Sequence, residues 1–172
     1  YQYQLILEGD SKKFPQMDLD AWPDLKLSQY KVQAEGIDKP IAELIVAQQG
    51  DGPRVLTYWK NSTNEILYNL DRKPSELSAL AAVIGKHAPK DALILSWWDT
   101  SRQIKLLTGH DTLFTSHLNE PLMVPVAWLE QSKAIMAYEN HFWESSASSK
   151  EQEQFKRFSQ ALAASAEEGV TQ

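Results

Sequence analysis

The chain has 172 residues, 42% hydrophobic and 23% charged, with a formal net charge of −6 at pH 7. This length and composition are typical of a globular protein with a substantial core, and they exclude an intrinsically disordered chain. The sequence contains no basic stripe, which argues against a nucleic acid partner, and no cysteine, which excludes disulfides, thiolate metal sites and covalently attached c-type haem.

The first part of the chain predicts β-structure. The run "YQYQLILE" alternates like a strand with Tyr3, Leu5 and Leu7 on one side, whereas "FPQMDLDAWPDLKL" predicts a loop or short helical turns. A second strand is expected in "SQYKVQAEG". The runs "AELIVAQQ" and "RVLTYW" are joined by "GDGP", which is typical of a hairpin, and "EILYNL" is a third candidate. These last three runs together indicate an antiparallel meander.

The rest of the chain predicts mainly helices. The first is "SELSALAAVIGKHA", whose apolar stripe consists of Leu77, Leu80, Ala81 and Ile84. A short strand "ALILSWW" and a short helix "TSRQIKLL" ended by Gly109 follow, and "PLMVPVAW" is a further candidate strand. The run "LEQSKAIMAYENHFW" predicts a helix, and "SSASS" is expected to cap the last helix, "KEQEQFKRFSQALAASA", with the stripe Phe155, Phe158 and Leu162.

These elements predict an α/β or α+β fold, with residues 1–172 in a single soluble domain and a mixed β-sheet flanked by helices. The helix between "EILYNL" and "ALILSWW" favours a parallel pair joined by a right-handed crossover.

The stretch Trp97-Trp98-Asp99 at the strand-to-helix junction has two interpretations. In the structural one, one indole enters the core and the other points outward, Asp99 or Thr100 caps the helix, and Gln103 completes a capping box with Thr100. In the functional one, this edge contacts a peptide or carbohydrate, because an exposed tryptophan beside a carboxylate offers apolar area and a hydrogen-bond acceptor. The predicted contact residues are Trp97, Trp98, Asp99 and Arg102, with His110 and Asp111 further out.

The sequence predicts no catalytic residue, no metal site and no cofactor. The histidines lack metal-binding spacing, and "GDGPR" lacks the pattern of a phosphate-binding loop. Ser96 is not in a G-x-S-x-G context, so a triad with His110 and Asp99 has no support beyond residue type. These observations favour a non-catalytic protein.

The runs "ALILSWWDTSRQIKLLTG", "EPLMVPVAW" and "EQFKRFSQAL" resemble the HaoB family, accessory proteins of hydroxylamine oxidation in ammonia oxidisers. This resemblance implies an exported protein, periplasmic or membrane-anchored and facing the periplasm, that works beside the multihaem c-type cytochrome hydroxylamine oxidoreductase. It implies no catalytic residues. The chain starts at Tyr1 rather than Met, which leaves an upstream signal peptide or membrane anchor open.

A second, local resemblance concerns "SWWDTS" and "GHDTLF", which resemble the W-W-D-Y-G signature of oligosaccharyltransferase catalytic subunits and the segment that follows it. It implies that Trp97, Trp98 and Asp99 recognise the hydroxyl residue of an acceptor, in a soluble domain of a membrane glycosyltransferase. The sequence departs from that signature at Thr100 and Ser101, which stand where the family has Tyr-Gly.

Overall fold

A computed structural model describes residues 1–62, 73–117, 126–144 and 148–164. The strands in these ranges are β1 (Gln2–Gly9), β2 (Leu25–Gln33), β3 (Ala42–Gln49), β4 (Val55–Asn61), β5 (Leu93–Ile94) and β6 (Asp111–Thr112). The α-helices are α1 (Pro74–His87), α2 (Trp98–Thr108), α3 (Ser132–Trp143) and α4 (Ser149–Ala163), and short 3₁₀ helices cover Ser11–Lys13, Pro15–Met17 and Val126–Gln131. None of the described helices is both long and apolar enough to cross a membrane.

Strands β1 to β4 form an antiparallel sheet in chain order, and β5 and β6 form a separate parallel pair. The predicted α/β or α+β class is confirmed, as are the two N-terminal strands and the hairpin of β3 and β4, in which Ala42 pairs with Asn61. The third predicted strand of the meander, "EILYNL", lies outside the described residues, and so does its predicted parallel pairing with "ALILSWW".

Strand β1 departs from the predicted alternation. Its register shifts between Leu5 and Leu7, and Leu5, Ile6 and Leu7 are all exposed, whereas Tyr3 is half-buried. The prediction that Tyr3, Leu5 and Leu7 share one side is therefore wrong, because an irregularity of this kind turns the following side chains to the other face.

Both faces of the large sheet are covered. Ile45 and Ala47 of β3 belong to a core with α1, α2 and the N-terminal 3₁₀ segment, whereas Leu44 and Val46 belong to a second core with Trp143 of α3. Side chains of a strand point alternately to opposite faces, so β3 is buried on both sides and reads as a continuous apolar run.

Helix α1 is confirmed, but its predicted stripe is only partly buried. Leu77 and Ala81 enter the core, whereas Leu80 is exposed and Ile84 is half-buried. The region of "PLMVPVAW" that the structure describes, residues 126–128, belongs to a 3₁₀ helix rather than to a strand.

Helix α4 begins as predicted after the serine-rich segment. Ser148 is its N-cap and forms a reciprocal capping box with Glu151. Phe155 and Phe158 are half-buried, but Leu162 is 65% exposed and does not continue the stripe.

The segment "ALILSWW" forms a shorter strand than predicted. Pairing with β6 covers only Leu93 and Ile94, and α2 already begins at Trp98. Gly109 ends α2 with φ of 74°, a left-handed conformation that glycine adopts without steric cost. Strands β5 and β6 therefore lie directly before and after α2 in the chain. The segment between β5 and α2 remains extended at the surface.

Candidate interaction site

The extended segment before α2 presents apolar side chains to solvent. We call these residues the apolar ridge: Leu93 (56% exposed), Leu95 (63%) and Trp97 (39%). The alternate residues point the other way, since Ile94 and Ser96 are half-buried and Trp98 is only 6% exposed. Period-two alternation therefore separates a surface side from an inner side, as in a strand.

The start of α2 differs from the predicted cap. Trp97 occupies the N-cap position and its side chain makes no capping hydrogen bond, so the prediction of a cap by Asp99 or Thr100 is wrong. The predicted capping box is also wrong, because Gln103 Nε2 donates to the Leu56 carbonyl of β4 at 2.8 Å. Asp99 lies in the first turn, where a carboxylate is favoured by the helix dipole.

Two serines close the junction in place of the predicted cap. The Ser101 backbone N–H donates to the Trp97 carbonyl at 2.8 Å, and the Ser101 hydroxyl donates to the Ser96 carbonyl at 3.1 Å. The two hydroxyl oxygens are 2.8 Å apart, which fits a hydrogen bond donated by Ser96. Ser101 is fully buried, so these bonds hold the turn between the ridge and α2 in one conformation.

The two indoles of the junction pack under α4. Trp97 and Trp98 stack with centroids 5.9 Å apart, and Phe155 meets their rings edge-on at 4.9 and 5.2 Å. Phe114 packs against Phe155 and Phe158, at 5.5 Å from each. We call these five residues the indole cluster. It fixes the ring of Trp97 on one side while more than a third of the residue stays open to solvent.

Arg102 points inward, which sequence reasoning missed. It is 3% exposed, its Nη2 donates to the Arg54 carbonyl at 2.6 Å, and its Nη1 lies 2.9 Å from Nδ1 of His117. Burial lowers the pKa of Arg102 to about 10, against the opposing effect of the Asp99 charge. Burial and the Arg102 charge together lower the pKa of His117 to about 3, so this imidazole is neutral and accepts the Arg102 hydrogen bond. The His117 ring stacks on Trp143 at 4.3 Å, and Arg102 thereby ties α2 to α3.

His110 is 6% exposed and joins its own loop to the segment that follows α1. Its Nδ1 lies 3.0 Å from the Thr108 hydroxyl oxygen, and its Nε2 lies 3.1 Å from the Pro89 carbonyl oxygen. Both ring nitrogens thus contact groups other than Ser96, which weighs against the triad considered from sequence.

The six predicted contact residues separate by exposure. Trp97 and Asp111 are exposed and Asp99 is half-buried, whereas Trp98, Arg102 and His110 are buried. Asp111 forms an exposed ion pair with Lys105 at 3.3 Å, a type of contact that contributes little to stability. Within the described ranges, no group of three histidine, aspartate or glutamate side chains is arranged to hold a metal.

A second aromatic site lies where α3 meets β1. We call Tyr1, Tyr3, Tyr138, Glu139 and Trp143 the tyrosine–glutamate cluster. Glu139 Oε1 accepts hydrogen bonds from the Tyr1 hydroxyl at 2.7 Å and the Tyr3 hydroxyl at 2.5 Å, and its Oε2 accepts from Trp143 Nε1 at 2.6 Å. The Tyr138 hydroxyl lies 2.7 Å from the Tyr3 backbone nitrogen, which donates to it.

Sequence reasoning missed this second site, although a signal exists. Tyr138 and Phe142 are four residues apart, as are Glu139 and Trp143, so that each pair shares a side of α3. Nothing local connects them to Tyr3, which is 136 positions from Glu139.

Comparisons with known proteins identify the family. The family model described as HaoA-associated protein HaoB matches residues 1–172, and the chain belongs to this family. The search of curated proteins and the search of solved structures each give no match.

Proposed function

We propose that this member of the HaoA-associated family is an exported, non-catalytic accessory protein that binds the hydroxylamine oxidoreductase HaoA through its apolar ridge. The family description supports the association with HaoA. The chain has no cysteine to attach c-type haem, which agrees with a partner that contributes the multihaem centre.

The observation that carries the proposal is the exposure of Leu93, Leu95 and Trp97 along one side of a single extended segment. Contiguous apolar surface on a soluble protein is typical of a binding site. Trp97 is suited to serve as the anchor, because the indole cluster already restrains its ring and little side-chain entropy remains to be lost on binding. Asp99 and Asp111 are candidates for the polar rim.

The test uses purified hydroxylamine oxidoreductase immobilised on a surface, with this protein titrated over it. The variants are Trp97→Ala and Leu95→Ser, and the matched control is Leu129→Ser, since Leu129 is similarly exposed at 52% but lies in the 3₁₀ segment before α3. We expect Trp97→Ala to raise Kd at least about thirtyfold, the ~2 kcal/mol loss of a tryptophan hot spot. Equal binding by Trp97→Ala, Leu95→Ser and Leu129→Ser contradicts the ridge as the docking surface, and absence of binding by the unmodified protein contradicts the association itself.

Export is a separate part of the proposal. It rests on the sequence resemblance and is tested by fractionating native cells and probing the periplasmic, membrane and cytoplasmic fractions with an antibody. Recovery in the cytoplasmic fraction alone contradicts it.

The alternative, a soluble acceptor-recognition domain of a membrane glycosyltransferase, stays a prediction. The burial of Trp98 weighs against it, because a Trp-Trp-Asp unit that recognises an acceptor must present its side chains together at the surface.

A further inference from the structure

Helix α4 forms a small core of its own with the residues that it covers. In the indole cluster, Phe155 and Phe158 of α4 pack on Trp97, Trp98 and Phe114. Trp98 is 6% exposed and Phe114 is 2% exposed, and this core is separate from the two that border the large sheet. No described residue of α4 belongs to either of those larger cores. Helix α4 can therefore leave its site without opening them.

The polar contacts of α4 reach the same part of the chain. Glu151 accepts hydrogen bonds from the backbone N–H groups of Thr115 and Ser116, at 3.4 and 3.2 Å. The cap that starts the helix is internal, because Ser148 and Glu151 form it together. Helix α4 thus carries its own cap, and the described contacts that attach it lie on residues 97–116, which are distant in sequence from α3.

The connection between α3 and α4 contains a strained residue. Helix α3 ends at Trp143 and α4 begins at Ser149, so only residues 144–148 join them. Glu144 adopts a left-handed conformation, with φ of 54° and ψ of 18°. This conformation is unfavourable for a residue with a side chain, because Cβ comes too close to the following carbonyl oxygen. A short connection under strain favours exchange of the element that follows it between two copies of a chain.

We propose that two copies of this protein exchange α4 and form a domain-swapped dimer. Phe155 and Phe158 of each copy then pack on the indoles of the other copy, and Glu151 accepts the same backbone hydrogen bonds there. The occupant of each site is α4 of a second copy, and the contacts within one copy already give its fit. Because exchange reproduces these contacts and releases the strain at Glu144, protein concentration decides between monomer and dimer.

The exchange leaves the apolar ridge accessible. Leu93 and Leu95 precede α2 and make none of the ring contacts described for α4. Trp97 keeps its exposed side, because Phe155 packs on it from either copy. A dimer therefore presents two ridges, and a partner with two matching surfaces binds it more tightly than it binds the monomer.

The first test measures the mass of the full chain by size-exclusion chromatography with light scattering. Samples are incubated at increasing protein concentration, long enough for α4 to open and close. We expect a concentration-dependent equilibrium between monomer and dimer. A monomer at every concentration up to about 1 mM overturns the proposal.

The second test changes the strain in the connection. Glu144→Gly removes the cost of the left-handed conformation, whereas the matched control Glu144→Gln keeps it and removes the same charge, which pairs with Arg54 at 3.6 Å. We expect Glu144→Gly to raise the dimer Kd about thirtyfold relative to Glu144→Gln, equivalent to ~1 kcal/mol for each of the two hinges. Equal Kd values in the two variants overturn the assignment of the hinge to Glu144.

The third test distinguishes exchange from a dimer that forms side by side. Leu113 and Ala161 line the same groove beside α4, and the chain has no cysteine of its own. Copies carrying Leu113→Cys are mixed with copies carrying Ala161→Cys, incubated as dimers and treated with a short bis-maleimide. The matched control mixes Leu129→Cys with Ala161→Cys, because Leu129 is 52% exposed in another segment. We expect cross-linked dimer mainly from the first mixture, and equal yields from both mixtures overturn the exchange.

Discussion

Two helices of this protein are attached to the fold through aromatic clusters that differ in burial and in hydrogen bonding. Helix α3 is held by the tyrosine–glutamate cluster, where Trp143 is 1% exposed and a carboxylate satisfies three donors. Helix α4 is held by the indole cluster, and none of the α4 residues that the structure describes is fully buried. Its polar anchors are the contacts of Glu151 with the backbone N–H groups of Thr115 and Ser116, at 3.4 and 3.2 Å.

The two clusters join their helices to the rest of the fold with different strength. Burial of large side chains and satisfied internal hydrogen bonds both stabilise α3, so its detachment exposes a core and leaves polar groups unpaired. Helix α4 loses only half-buried rings and surface hydrogen bonds. We expect α4 to open locally at a lower free energy than α3.

The largest expected effect comes from Trp143→Ala, which removes a fully buried indole, its hydrogen bond to Glu139 and its stack on His117. Loss of a buried aromatic side chain costs about 3 to 5 kcal/mol in the free energy of unfolding. Denaturant titration measures it, with Trp97→Ala as the control. If both variants lose the same stability, the contrast between the two clusters is wrong.

Alkaline pH should act on the same cluster through Tyr3. Its folded-state pKa lies well above the usual value of 10.0, so its contribution to stability is complete below pH 10 and is lost as the pH rises above it. Each pH unit above 10 should then remove about 1.4 kcal/mol for this group alone. Unfolding measured between pH 9 and about pH 11.5 should show a shallower slope in Tyr3→Phe than in the unmodified protein; identical slopes would contradict the assignment.

A smaller effect is expected from Phe155→Ala, which removes the ring that meets both indoles. Loss of a half-buried aromatic side chain should cost about 1 to 2 kcal/mol, less than a full burial of 1.5 to 3 kcal/mol. We expect tryptophan fluorescence to shift to the red, because Trp98 gains contact with water. The control is Phe142→Ala, which removes a ring of α3 that contacts Trp143 and should leave the environment of Trp98 unchanged.

The smallest effect is expected from Ser148→Ala, which removes the capping box of α4. Such a cap is worth about 1 kcal/mol, and the loss should stay within this helix. Amide hydrogen exchange should accelerate in α4 and remain unchanged in α3. Acceleration in both helices would show that they open together, which contradicts the lower opening free energy expected for α4.

Sequence patterns predicted most of the described strands and helices, because alternation and helical periodicity are local properties. They failed at the start of α2. The turn before that helix is held by the buried Ser101, whose hydroxyl donates to the Ser96 carbonyl. It is also packed by Phe155, which contacts both indoles from more than fifty positions away.

The candidate sites were predictable only in part. The exposed Trp97 and the buried Trp98 agree with the expectation that one indole faces inward, since adjacent side chains diverge. Arg102 was predicted among the contact residues, but a guanidinium can be buried when carbonyl and imidazole acceptors meet it, and those acceptors come from Arg54 and His117. No local pattern reveals such partners.

Because both faces of β3 are buried, its neighbouring side chains belong to two different cores and can be mutated separately. Leu44 and Ile45 are neighbours in the chain, yet each reports on a different half of the molecule, the first on the α3 side and the second on the side of α1 and α2. A pair of truncations at adjacent positions can thus perturb the two halves independently. Comparing how each truncation alters the proposed binding to HaoA tests which half of the molecule that contact depends on, without altering any residue of the apolar ridge or the tyrosine–glutamate cluster.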